Sequence, residues 1–299
     1  MSILGKLEKL GRMNVEERSY ALRFRARQSL AQLPYFPIRV RLPRPDGDEL
    51  RFWWSYVPPF FNSEIGFLDY WGKDIADLQF VARFLQAGMT FFDVGAYHGI
   101  YTIVAAHTVG NWGRVVAFEP SARERRRLRL HVRMNRATCV AVEKPAVGSS
   151  NNPVRFFIVT DGDTAMNSSH APELATGYEE TVVSGIRLDD FCRGQGIASL
   201  DLIKIDAEGS ELAIFAGAEK VLGKLRPLLI CEVLDLVTEP HGYPAREIVG
   251  RLSHLGYEWY EFSAGGTLLP HKPQEEYREV RNYLAVPKEK VSAVERFVG

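Results

Sequence analysis

Phe91-Phe92-Asp93-Val94-Gly95-Ala96-Tyr97-His98-Gly99-Ile100-Tyr101-Thr102 reads as an apolar strand that runs straight into a small-residue turn and a helix. A second apolar run, Val115-Val116-Ala117-Phe118-Glu119-Pro120, ends on an acid. A parallel strand, a tight turn presenting backbone N–H groups, and an acid at the next strand's tip suit a ligand with a ribose, because a carboxylate accepts both sugar hydroxyls. A pyrophosphate needs glycines in the pattern G-x-G-x-x-G, yet Tyr97 fills the middle slot between Gly95 and Gly99. Asp93 repels phosphate and can hold an ammonium group. The turn therefore suits a nucleoside with a cationic amino-acid end.

S-adenosylmethionine has both that ribose and that ammonium. With the later run Asp201-Leu202-Ile203-Lys204-Ile205-Asp206-Ala207-Glu208-Gly209-Ser210-Glu211, the chain resembles the S-adenosylmethionine-dependent methyltransferases, and that run looks like the signature of their FkbM family. The resemblance implies a class I, Rossmann-like α/β fold: a doubly wound, mostly parallel seven-stranded sheet with a final antiparallel hairpin, for which Tyr257 to Phe262 and Arg281 to Val286 are the strand candidates. It also implies O-methylation of a hydroxyl on a small molecule or glycan, of sugar or polyketide type. Asp93, Gly95, Gly99 and Glu119 carry over as donor-binding positions, with Ala96, Tyr97, His98 and Thr102 beside them. Lys204, Asp206, Glu208, Gly209 and Glu211 match the second motif. Two departures stand out. Tyr97 occupies a position where that family commonly has Asn, and Lys144-Pro145-Ala146 lacks the usual acid or amide before the alanine, which leaves adenine recognition to backbone groups around Ala146 and Val147.

The pattern from Lys73 onward agrees on its own terms. Ile75, Leu78, Val81, Phe84 and Leu85 form a helical stripe that stops at Gly88, and strands then alternate with helices at 99–109 and Arg123–Arg133, the latter capped by Ser121. Such alternation gives a parallel sheet with right-handed crossovers and the ligand at the strands' carboxyl ends. The six arginines between Arg123 and Arg133 read as a solvated helix face, since the chain's 37 basic and 37 acidic residues leave no field for nucleic acid. Residues 150–190 read as a substrate-side insertion, with strands at Val154–Val159 and Thr181–Ile186 and a polar loop at Asp161–His170.

Residues 1–72 form an extension to the domain at 73–299: a basic amphipathic helix over the first 30 residues, then a Pro- and aromatic-rich stretch. That helix can pack on its own domain, pair two copies into a homodimer or touch an anionic membrane weakly; the aromatics suit a lid or a small hairpin core. No stretch has the length of a transmembrane segment or a signal-peptide core, and the three cysteines, Cys139, Cys192 and Cys231, read as thiols in a reducing compartment. The cytoplasm is the expected location.

Catalysis is expected from the second motif. Alternation on a strand puts Leu202, Lys204 and Asp206 on one side, and a lysine in an apolar strand needs an anion, for which Glu232 on the adjacent strand is the leading partner. Asp206 is the first choice for general base, with Glu208 and Glu232 as helpers; Asp206 and Glu208 also offer oxygen ligands to Mg²⁺. Glu211 is explained by the helix macrodipole alone. His98 is expected at the surface or at the donor, while His170 and His241 are weaker candidates. Two rival readings stay open: a catalytically silent donor-binding or scaffold protein, and a nucleotide-dependent oxidoreductase.

Overall fold

A computed structural model describes residues 36–44, 47–56, 75–161, 166–171 and 177–299. The expected helix over residues 1–30, the aromatics Phe60, Phe61, Phe67, Tyr70 and Trp71, and positions 162–165 of the polar loop lie outside the described residues. The chain divides into two compact units, Met1–Val40 with Trp53–Lys73, and Arg41–Phe52 with Asp74–Gly299. Phe36–Pro43 (β1) and Glu49–Tyr56 (β2) are strands.

The second unit is built on an eight-stranded sheet. In chain order its strands are Thr90–Val94 (β3), Arg114–Phe118 (β4), Val140–Glu143 (β5), Leu202–Ile205 (β10), Leu228–Glu232 (β11), Tyr257–Ser263 (β12), Thr267–Pro270 (β13) and Asn282–Pro287 (β14). Between β5 and β10 the chain adds two small sheets: Ala146–Val147 (β6) pairs with Gly185–Ile186 (β9), and Val154–Asp161 (β7) pairs with Gly177–Val183 (β8). The spatial order is β13-β12-β14-β11-β10-β3-β4-β5. The five strands from β5 to β11 are mutually parallel, β14 runs antiparallel between β11 and β12, and β13 is antiparallel on the edge. The expected seven strands are thus corrected to eight. The turn at Gly265-Gly266, with φ of 71° and 73°, folds the chain back onto β12 and adds one more edge strand.

Helices cover both faces, as a sheet buried on two sides requires. Phe92, Val94, Phe118, Ile203, Ile205, Leu229 and Cys231 point into one core, against Leu188–Gly194 (α4), Glu211–Ala216 (α5) and Arg246–His254 (α7). Phe92, Phe118 and Phe191 meet edge to face there at centroid distances of 4.9–5.9 Å. Strand alternation sends Phe91, Asp93 and Lys204 to the opposite face, toward Ala76–Phe84 (α1) and Ile100–Val109 (α2), with Ala122–Met134 (α3) over β4 and β5. A four-residue helix, Asp235–Thr238 (α6), follows β11. Among the described residues no helix is long and apolar enough to cross a membrane. The cysteines are free thiols, with Cys192 and Cys231 buried.

From β3 the chain moves outward through β4 and β5, then returns to the other side of β3 as β10. This reversal opens a crevice at the carboxyl ends of β3 and β10, where an open α/β sheet takes its ligand. There the turn after β3 and the turn after β10 touch. Asp206 N–H donates to Val94 O at 3.1 Å, and Gly95 (φ 78°) lies so close that a Cβ on it would stand 1.8 Å from the Asp206 carbonyl oxygen. Gly95→Ala is expected to destabilise the fold by about 2–4 kcal/mol, combining positive φ with a backbone clash. Urea denaturation checks this; a change below about 0.5 kcal/mol would mean that the two turns separate freely.

Candidate active site

The turn after β3 is held from below by a carboxylate at each strand end. Asp93 is buried and accepts a 2.5 Å hydrogen bond from the Thr102 hydroxyl on the first turn of α2. Burial raises Asp93 to about 6, against the opposing pull of Thr102 and Lys204. Glu119, at the end of β4, is only 4% exposed and accepts from the backbone N–H of Tyr97 at 2.9 Å and of Ser121 at 2.7 Å. Burial raises it to about 8, with those two backbone donors working the other way. Each Glu119 oxygen therefore already holds one protein hydrogen bond and keeps further lone-pair capacity. Gly99 (φ 86°) begins α2, where a Cβ would strike the Leu128 side chain at 2.1 Å.

His98 departs from expectation. It is buried, its Nε2 lies 2.6 Å from Glu124 Oε2 on α3, its Nδ1 lies 3.5 Å from the Arg127 guanidinium, and its carbonyl pairs with His131 Nδ1 at 2.7 Å. Burial, then the positive charges of Arg127 and Arg123, hold its pKa well below the ordinary value. The surface reading of His98 is thus corrected. So is the uniformly solvated α3 face, because Arg127 is buried under the turn with Glu124 and His131. Ser121 caps α3 as expected, accepting from Glu124 N–H at 3.5 Å. On β6, Ala146 N–H is spent on Ser184 O at 2.8 Å, so that donor is not available to read adenine.

The acid turn grows from β10. Lys204, 1% exposed, sits opposite Asp93 on β3 and Ile230 on β11. Its direct partner is Asp206, Nζ to Oδ2 at 2.8 Å, rather than the expected Glu232, which acts on it through space. Burial pulls the ammonium down, but the Asp206 charge and hydrogen bond, aided by Glu232 and Asp77, outweigh it and hold its pKa above the ordinary value. Tyr101 covers Lys204 from α2, with Nζ 5.2 Å from the ring centroid. The Tyr101 hydroxyl donates to Asp77 Oδ2 at 2.6 Å, and Asn282 Nδ2 shares that oxygen at 2.6 Å. Glu232 is raised by burial and by the neighbouring Asp206 charge. Oxygens of Asp206, Glu208 and Glu232 approach to within 4.8 Å of one another, an oxygen donor set of the kind hard cations take, although Lys204 already claims Asp206.

Further residues complete this turn, and of these Tyr243 alone had no mark in the sequence. Glu211, read earlier as a helix-terminus acid, is buried and braces the turn: Oε1 accepts from Ala207 N–H at 3.0 Å and Oε2 from the Tyr243 hydroxyl at 3.2 Å. Glu208 takes φ 50°, and Gly209 (φ 92°) leaves room for His241, whose Cδ2 would lie 2.4 Å from an added Cβ. The His170 ring lies against His241 at 3.9 Å between centroids, tilted by 45°, and burial, then His170, lowers His241 to about 4.

The methyltransferase FkbM domain model matches residues 93–285. No curated protein matches the sequence. Similar solved structures include a methyltransferase FkbM from Methylobacillus flagellatus KT, 17% identical with a TM-score of 0.42, aligned over 67% of this chain and 44% of that one. An O-methyltransferase from Bacillus cereus in complex with SAH is 16% identical, with coverage of 72% and 82% and a TM-score of 0.42. The O-methyltransferase TomG from Streptomyces achromogenes, solved with SAM and involved in tomaymycin synthesis, is 15% identical over 71% and 78%, with a TM-score of 0.40.

The buried acids make stability depend on pH. Asp93 and Glu119 hold their protons up to about 6 and about 8 when folded, against ordinary values of 3.8 and 4.5. In that window the unfolded chain binds fewer protons than the folded one, so stability is present at low pH and is lost as pH rises through the folded values. Thermal unfolding of the ligand-free protein is expected to shift downward between about pH 5 and pH 8. Glu119→Gln should flatten the upper part of that slope. An unchanged slope would place the titration elsewhere.

Proposed function

We propose, for a chain that belongs to the methyltransferase FkbM domain family, that it moves the methyl group of S-adenosylmethionine to a hydroxyl oxygen of a small molecule or glycan. The observation that carries this reading is the meeting of the donor turn and the acid turn at the sheet's switch point, Gly95 against Asp206. Asp93 would hold the donor's ammonium, and the remaining lone pairs of Glu119 would take the ribose hydroxyls. Bringing the acceptor oxygen in line with the sulfonium methyl is the enzyme's main task. As the O–C bond forms and the C–S bond breaks, the hydroxyl proton leaves to a carboxylate of the acid turn. Asp206 is the first choice because Lys204 fixes its orientation, with Glu208 and Glu232 close enough to take part. Mg²⁺ could use the same oxygens, but it would have to share Asp206 with the Lys204 ammonium. Transfer is therefore expected to survive EDTA.

Calorimetry with S-adenosylmethionine, S-adenosylhomocysteine, NAD and NADP tests the donor. Selective binding of the first two is expected, weakened by about 1–3 kcal/mol in Glu119→Ala. Absence of binding by folded protein would overturn the reading in favour of a scaffold, and binding of NAD in favour of an oxidoreductase. In a screen of glycosides and polyketide alcohols with labelled donor, Asp206→Asn should keep donor affinity and cut transfer by about 100-fold or more. Loss of donor affinity as well would remove its separate role in the chemical step.

A further inference from the structure

The segment Met166–Ala171, between β7 and β8, touches both turns of the site. At one end the Asn167 Oδ1 accepts Val159 N–H at 2.8 Å, and its side chain lies within reach of Glu124, the carboxylate that grips His98. His98 in turn stacks on Tyr97 of the donor turn at 3.7 Å between ring centroids. At the other end Ser168 Oγ donates to Glu208 O at 3.0 Å, Ser169 and Ser210 share a hydrogen bond of 2.8 Å, and exposed His170 lies tilted against the His241 ring. Ser168 itself is buried and fixed to Phe157 through both backbone groups, N–H to O at 3.2 Å and O from N–H at 2.8 Å.

We propose that Asn167–His170 is a strap on the acceptor side of the site, and that Glu124 and Asn167 are positioning residues that transmit donor occupancy to it through His98. This rests on the donor reading above. A ligand seated on Tyr97 restricts His98, and His98 steadies the Glu124 carboxylate that holds Asn167. The strap then stays on the Glu208–Ser210 turn, where the acceptor hydroxyl has to arrive and where the His170 imidazole is open to it. Linkage makes the effect reciprocal, so an ordered strap also favours the bound donor. The His98 network and the acid turn lie on different strands, and this segment contacts both, through Asn167 at one end and through the Ser168 and Ser169 hydrogen bonds at the other.

Hydrogen exchange with S-adenosylhomocysteine as probe tests the proposal without an acceptor. Saturating probe is expected to slow exchange of the Ser168 and His170 amides about threefold or more. Asn167→Ala should abolish the slowing while lowering probe affinity no more than about threefold. Glu124→Gln, which keeps a hydrogen-bonding group in place, should retain most of it, and Asn167→Ala alone carries the test if that buried variant fails to fold. Probe that binds without slowing these amides overturns the strap, as does slowing that persists in Asn167→Ala. Probe that fails to bind overturns the donor reading instead, so the two failures are distinguishable.

Discussion

A lysine ammonium buried in the middle of the sheet governs how the acids around it are arranged. An uncompensated charge at the position of Lys204 would cost several kcal/mol, so anions have to lie within reach. They arrive from three strands: Asp206 just past the end of β10, Asp93 directly across the ladder on β3, and Glu232 at the end of β11. From the helix layer, the Tyr101 ring covers the cation, and its hydroxyl bond to Asp77 ties α1 and α2 into the same network. The carboxyl edge of the sheet is acidic because its interior is basic at one point.

A second constraint is the closeness of the two turns. The approach of Gly95 to the Asp206 carbonyl leaves no room for a side chain, and each turn holds a non-glycine residue in the left-handed region, Tyr97 at φ 49° and Glu208 at φ 50°. Such conformations cost of order 1 kcal/mol or more and persist where surrounding contacts over-determine them. Here Glu119 fixes the Tyr97 amide, and Glu211 with Tyr243 fixes the peptides around Glu208 and Gly209. Both buried glutamates thus act on backbone, through geometry that their place in the sequence does not disclose.

This explains what could be read in advance. The strand runs ending at Asp93, Glu119, Ile205 and Glu232 were legible because parallel strands buried on both faces are nearly continuous apolar sequence. The parallel order and the meeting of the two motifs at the carboxyl edge followed from alternation with helices. The partner of Lys204 was misread because strand adjacency says which backbones are neighbours, whereas the reach of a lysine along its own strand brings Asp206, on the same side, nearer than Glu232. His98 was misread for a similar reason: its partners Glu124, Arg127 and His131 lie on a helix whose arginines looked solvated, and only the packed turn reveals that one stripe of it is buried. His241 and the Asp161–His170 loop were marked in the sequence, but the particular contacts of Asn167, Ser168, His241 and Tyr243 left no local trace, since they are made between loops distant in sequence.

The charge balance of the crevice bears on the chemistry proposed for it. Burial raises the proton affinity of Asp93 and Glu232 above that of ordinary carboxylates. A cationic donor reverses that tendency by supplying the positive charge that burial denies them. In the proposed transfer the sulfonium would become a neutral thioether and the acceptor would release a proton, so a positive charge would disappear from sulfur as a proton became available at the acid turn. A carboxylate with a raised affinity for protons, next to one oriented by a lysine, can take up that proton without leaving an unpaired charge in the crevice. The lysine, itself fully buried, keeps its charge throughout, and the variable part of the balance is confined to the acids that line the opening.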